Sequence, residues 1–105
     1  LNAPVEAGAT ETAYRKIFLE EFKPALDRFE PEFILLSAGF DAHSADPLGD
    51  VKLTDDSYGF LSETILDMAA TYCQGRLVSI LEGGYNFNAT ARSAGIHLQA
   101  LLEAG

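Results

Sequence analysis

Apolar positions recur with a helical period over residues 10–30, where Tyr14, Ile17, Phe18, Phe22, Ala25, Leu26 and Phe29 fall on one face. Thr10 stands where a helix cap belongs, and Glu11 lies in the first turn, favourable to the helix dipole. Pro24 interrupts the pattern. It lacks a backbone donor, which predicts a kink near Glu20 to Phe22, and Pro31 stops the helix. Phe33 to Leu36 is a short unbroken apolar run followed by Ser-Ala-Gly, the signature of a strand buried on both faces, as in a parallel sheet. After a loop rich in Gly, Asp and Pro, Thr54 caps a second helix. Its apolar face holds Tyr58, Leu61, Ile65, Met68, Ala69 and Tyr72, and Gly75 ends it. Leu77 to Leu81 is a second buried strand. A last helix is expected from about Asn88 to Glu103, with Ala91, Ala94, Leu98, Leu101 and Leu102 inward.

The order helix, strand, helix, strand, helix contains a βαβ unit. The fold class is therefore α/β, with parallel strands and a right-handed crossover. The 105 residues suffice for a single domain, and the first residue is Leu1 rather than Met, as expected of a piece of a longer chain. Residues 1–9 are small and turn-like and read as a loop.

Charge and cysteine content narrow the possible partners. The net charge is −9, from 16 acidic and 7 basic residues, so the basic footprint of a nucleic-acid binder is missing. No apolar run approaches the ~20 residues of a membrane span. The single cysteine, Cys73, excludes an internal disulfide, fits a reducing compartment such as the cytoplasm, and lies on an apolar helix face as a core residue would.

In open parallel sheets the functional loops follow the carboxyl ends of the strands. Asp41 follows the first strand and Tyr85 the second, so adjacent strands would raise a carboxylate and a phenol from one edge. Each loop has an ordinary reading as well: an Asp after a strand often shapes a turn, and Gly83-Gly84-Tyr85 can be a tight turn with a packed aromatic. A phosphate cradle at the two glycines is disfavoured, since neither G-x-G-x-x-G nor a Walker lysine is present. Asp41 and His43, spaced i, i+2, could both face a metal in an extended segment, but a catalytic zinc usually needs three protein ligands and no other histidine lies in a ligand-rich segment. His97, in the last helix, falls on a mixed face as a structural or exposed residue.

The string SAGFDAHSADPLGDVKLT followed by LEGGYN resembles the C-terminal part of the histone deacetylase superfamily, nearest to its class II-like, acetylpolyamine amidohydrolase-like and acetoin-utilisation-like members. The resemblance covers nearly all 105 residues. It implies a βαβ piece of a three-layer α/β/α, arginase/deacetylase-like fold, with residues 1–105 as one incomplete C-terminal segment of a catalytic domain. It implies a Zn²⁺ cofactor, with Asp41 as a metal ligand and Tyr85 as the catalytic tyrosine, and it places Gly83 and Gly84 beside the substrate. Asp46 to Gly49 match a segment that shapes the loop, and Glu82 and Asn86 are structural neighbours. The family's Asp-x-His ligand pair and its tandem histidines are not in these residues, and Asp41-Ala42-His43 does not replace them, because the flanking string is that of the third-ligand loop.

The implied activity is zinc-dependent hydrolysis of N-acetyl amides, with acetyl-lysine or acetylpolyamine as substrate and the remainder of the catalytic domain, or a second copy, as partner. The alternatives are a non-catalytic α/β assembly module or inactive fragment, and a small phosphate- or nucleotide-binding α/β domain. Retention of both Asp41 and Tyr85 argues against the first of these, and the lack of basic residues near Gly83-Gly84 against the second.

Overall fold

A computed structural model describes residues 1–105. The first helical stretch runs as α1 (Glu11–Ile17), a π turn (Phe18–Phe22) and α2 (Lys23–Phe29) without a break. Pro24 explains the π turn: its ring would strike the carbonyl four residues back, and the chain widens so that Lys23 N–H bonds to Phe18 O. The expected disturbance is therefore present, as a widened turn just before the proline. Thr10 adopts extended backbone geometry, but its side chain makes no capping bond; Glu11 instead pairs with Arg15 at 2.6 Å. The helix ends on Glu30 in the left-handed region, and the buried Pro31 turns the chain towards the sheet.

Strand β1 (Ile34–Ala38) pairs in parallel with β2 (Leu77–Leu81), with Ile34 opposite Leu77 and Ala38 opposite Leu81. β1 thus starts one residue later than its apolar run and continues through Ser37 and Ala38, because both find partners on β2. Between the strands lies α3 (Asp55–Cys73). Thr54 and Ser57 form a reciprocal capping box at its start, and Gln74 and Gly75 at its end both take positive φ. Helix α4 (Phe87–Ala104) follows β2, capped by Asn86. No helix is long and apolar enough to cross a membrane.

The helices gather on one face of the sheet. Ile34 and Leu36 meet Phe18, Phe22 and Leu26 from the first helical stretch and Ile65 and Met68 from α3 around an open apolar groove of about 490 Å³. The opposite face is bare: Leu35 is 73% exposed and Ile80 55%, with Val78 beside them. The strands expected to be buried on both faces are covered on one only. Their composition still reads as that of central strands, which calls for a second layer and further strands beyond this chain.

Two expectations for α4 are corrected. Ala91, Leu98 and Leu102 face outward, and the residues buried from this helix are Ala89, Ser93 and His97. Ala94 packs against the core cluster and Leu101 is half-buried, as expected, but small and polar side chains fill the close approach to α3, so hydrophobicity alone turned the inward stripe too far. His97 is buried with both ring nitrogens engaged. Ser62 Oγ donates to Tyr58 O at 2.6 Å and therefore accepts from His97 Nδ1–H at 2.7 Å; Ser79 then donates to Nε2 at 2.8 Å. Burial lowers the pKa of His97. Cys73 is a core residue as expected, its thiol donating to Pro31 O at 3.3 Å.

A core cluster of Phe40, Leu53 and Tyr58 sits beneath the carboxyl ends of the strands, with Tyr14, Ala38 and Leu61 packed around it. Full burial of a leucine such as Leu53 contributes about 1.5–3 kcal/mol, so the loop that carries it is anchored from below.

Candidate active site

The loop after β1 is built to hold Asp41 still. Residues 42–44 pair with Leu53 through Leu53 N–H to Ala42 O at 3.0 Å and Ser44 N–H to Leu53 O at 2.7 Å, which closes the loop on itself. His43 is buried; Ala45 N–H donates to its Nδ1 at 3.0 Å, so Nε2–H donates to Asp55 at 2.7 Å. Arg92 Nε donates to the other oxygen of Asp55 at 2.8 Å, tying the loop to α3 and α4. These bonds hold the Asp55 pKa below the ordinary carboxylate value, Arg92 contributing most and His43 next. With both nitrogens committed, His43 is a structural residue here and offers no lone pair to a metal.

The carboxylate of Asp41 differs from its neighbours in accepting no hydrogen bond from the chain. It lies in a cradle of glycines, where a larger residue would push it aside. A Cβ on Gly83 would stand 2.6 Å from Asp41 Oδ2, and one on Gly39 2.9 Å from Oδ1. Tyr58, which donates to Gly39 O at 3.1 Å, and Tyr14 flank the region. Burial pushes both phenols up, and the charge of Asp41 adds to the rise.

The loop after β2 is laced to the first. Glu82 N–H bonds to Ala38 O at 3.0 Å, Phe40 N–H to Gly83 O at 2.8 Å, and Asn86 Nδ2 to Ala45 O at 3.1 Å. Gly84 has a φ of 140°, and a Cβ there would meet Thr90 Oγ1 at 2.5 Å, so glycine is required on both counts. Tyr85 follows it, half exposed, its amide donating to Asp46 Oδ2 at 2.9 Å. The two loops therefore share one edge, as their places after parallel strands require, with Asp41 against Gly83, two residues before Tyr85. Within this chain no three His, Cys, Asp or Glu side chains cluster closely enough to hold a metal ion.

Residues 1–101 match the family model of the histone deacetylase domain. The chain belongs to the histone deacetylase family. It is 41% identical over 102 residues to the chloroplastic histone deacetylase 14 of Arabidopsis thaliana, covering 97% of this chain and 24% of that protein. It is 38% identical over 86 residues to a histone deacetylase-like amidohydrolase of Pseudomonas aeruginosa, covering 82% and 23%. The acetylpolyamine aminohydrolase of Burkholderia pseudomallei superposes with a TM-score of 0.81 at 29% identity, over 96% of this chain and 28% of that one. The chain thus spans about a quarter of the length of these relatives. The likeness bears out the βαβ unit of a deacetylase-like α/β fold.

Composition and motif drew attention to Asp41, Tyr85, Gly83 and Gly84 but gave no part to Gly39, Tyr14 or Tyr58 around the carboxylate, nor to the pairing of Asp46 with Tyr85. A Tyr in the middle of an amphipathic helix and a Gly before Phe carry no local mark of a site. Asp46 and Tyr85 are 39 residues apart, beyond the reach of any short-range pattern.

Proposed function

We propose that this chain forms part of the active site of a zinc-dependent deacetylase that hydrolyses N-acetyl amides of lysine or a polyamine, with Asp41 as one zinc ligand and Tyr85 as the catalytic tyrosine. The Asp41 carboxylate carries the proposal: it is free of hydrogen bonds and walled by Gly39 and Gly83, where a capping or turn-forming Asp would be satisfied by its own loop. A carboxylate oxygen suits zinc, and this chain provides one ligand of the usual three. The other two would come from residues outside this chain, in the remainder of the catalytic domain.

Bound zinc would polarise the acetamide carbonyl and acidify a water. The chain's own part lies elsewhere. Tyr85 O–H is poised to donate to the carbonyl oxygen as negative charge gathers on it. A donor of that kind is worth about 3–4 kcal/mol, roughly 100- to 1000-fold in rate. Gly83 keeps the floor beside Asp41 clear of a side chain, Gly84 lets the backbone pass close to Thr90 and Phe40, and together they would let the acetyl group come close. Neither histidine here serves as the base that takes the proton of water, since His43 and His97 are buried with both nitrogens bonded. A cytoplasmic site of action belongs to the same proposal.

An assembly module would account for the bare sheet face but not for the unpartnered carboxylate or its glycine cradle. The test is Asp41→Asn and Tyr85→Phe in an active catalytic domain containing these residues. Asp41→Asn is expected to lower bound zinc and abolish turnover. Tyr85→Phe is expected to keep zinc and stability while kcat falls by roughly 100-fold or more. Full zinc with normal turnover in the first, or unchanged kcat in the second, would overturn the assignment.

A further inference from the structure

Tyr85 is 51% exposed, and its hydroxyl has no partner within the chain, so its aim depends on the backbone that carries it. That backbone is gripped on both sides. Before it, Gly84 is wedged against Thr90 and Phe40; after it, Asn86 caps α4 by accepting from Ala89 N–H at 2.9 Å. The Tyr85 amide itself is held by one side chain, Asp46.

Asp46 is buried, and both of its oxygens accept from backbone N–H groups. Oδ1 accepts from Leu48 N–H and Gly49 N–H, both at 2.8 Å, and Oδ2 accepts from Tyr85 N–H at 2.9 Å. The first two bonds fasten the carboxylate into the loop that carries Asp41, and the third reaches across to the other loop. Burial raises the pKa of Asp46, but the N–H groups of Tyr85, Gly49 and Leu48 outweigh it and hold the group below the ordinary carboxylate range.

We propose that Asp46 is a positioning residue for Tyr85, fixing the tyrosine's backbone at a set place relative to the Asp41 loop. This rests on the catalytic reading of Tyr85 and adds that the aim of the phenol is set from the metal-ligand loop. Asp46 touches neither substrate nor metal; it acts through the Tyr85 peptide. The geometry demands a carboxylate, because donors approach both of its oxygens. An Asn has the same shape but one oxygen, so its NH₂ group must face either Tyr85 N–H or the Leu48 and Gly49 pair, donor against donor.

The test is a double-mutant cycle in an active catalytic domain containing this chain: Asp46→Asn, Tyr85→Phe and the pair, with kcat, KM and bound zinc measured for each. Misplacement of a catalytic group by about 1 Å can cost roughly 100-fold, so Asp46→Asn is expected to lower kcat by about that factor with KM and zinc content unchanged. In the Tyr85→Phe background the same substitution should cost nothing further, because no hydroxyl is left to aim. A residue that only stabilises the fold would lower activity equally in both backgrounds. Additive losses, or a wild-type kcat for Asp46→Asn beside a crippled Tyr85→Phe, would overturn this inference and leave the tyrosine's role intact. A wild-type kcat for Tyr85→Phe would overturn the catalytic reading and this inference with it. If Asp46→Asn does not fold, Asp46→Glu keeps both oxygens and the charge, displaces them by one methylene, and runs through the same cycle with the same criteria.

Discussion

The carboxyl edge of the sheet and its bare face belong to the same two strands and are built on opposite terms. At the edge, Phe40, Leu53 and Tyr58 form a buried cluster beneath two loops that hydrogen-bond to each other and to themselves. On the face, Leu35, Val78 and Ile80 stand in solvent, and both strands have an unpaired edge. The two loops are thus fastened to each other within these residues, while the sheet supporting them is covered on one face only. Chemistry-bearing loops can be specified by short-range bonds, but the parallel sheet beneath them needs a second layer and more strands.

The contrast breaks most completely if the chain is taken alone. Isolated, it is expected to lack stoichiometric zinc and measurable deacetylation of an acetyl-lysine reporter, because on the proposed reading it holds one ligand of the usual three. Its exposed apolar face should also drive self-association, seen by light scattering as a mass above the 11.3 kDa of one chain. A monomer with full zinc and clear turnover would show that the edge needs nothing from outside.

A subtler break is made at the edge itself. Gly83→Ala places a methyl group against the Asp41 carboxylate, which has to swing away. Zinc affinity of the complete domain is expected to fall about 10- to 100-fold, as for other groups that orient metal ligands, with little change in its unfolding midpoint. Unaltered metal binding, measured by competition with a chelating dye, would mean that the cradle is incidental.

The smallest effect is expected at His97, which sits between the two regions and joins α4 to α3 and β2. Its folded pKa lies below the ordinary value of about 6.5, so the unfolded chain binds this proton first. Its contribution to stability is full above about pH 6.5 and is lost as pH falls from there through the folded pKa. His97→Leu should cost about 1–2 kcal/mol at neutral pH, because it strands the Ser79 hydroxyl, and should flatten the stability profile on the acid side of pH 6.5. An acid-side slope in denaturant unfolding equal to that of the parent would assign the titration to other groups.

Much of this was legible in the chain because the apolar runs and their punctuation agree. The run Leu77 to Leu81 has the limits of β2, and Thr54 heralds α3 with its capping box. The places of Asp41 and Tyr85 follow from the strands that precede them. Legibility failed where contact is long-range. The inward stripe of α4 is Ala89, Ser93 and His97, since a close-packed helix buries small residues and leaves Leu98 and Leu102 outside. Ser79 inside an apolar strand was the one local hint of His97, because a polar group there needs a partner. Asp46 looked like part of a turn, and half of it is: one oxygen serves its own loop while the other serves Tyr85.

The missing side chain at position 83 also bears on how related chains are to be read. Glycine is tolerated almost anywhere, but at position 83 the space of a Cβ is taken by the Asp41 carboxylate, which a larger residue would push aside. On the proposed reading of Asp41 as a metal ligand, a descendant that abandons metal chemistry is released from that constraint, and a larger residue there becomes tolerable. On the same reading, a side chain at the position of Gly83 marks a weakened metal site, readable from sequence alone even in a copy that still carries its aspartate and its tyrosine.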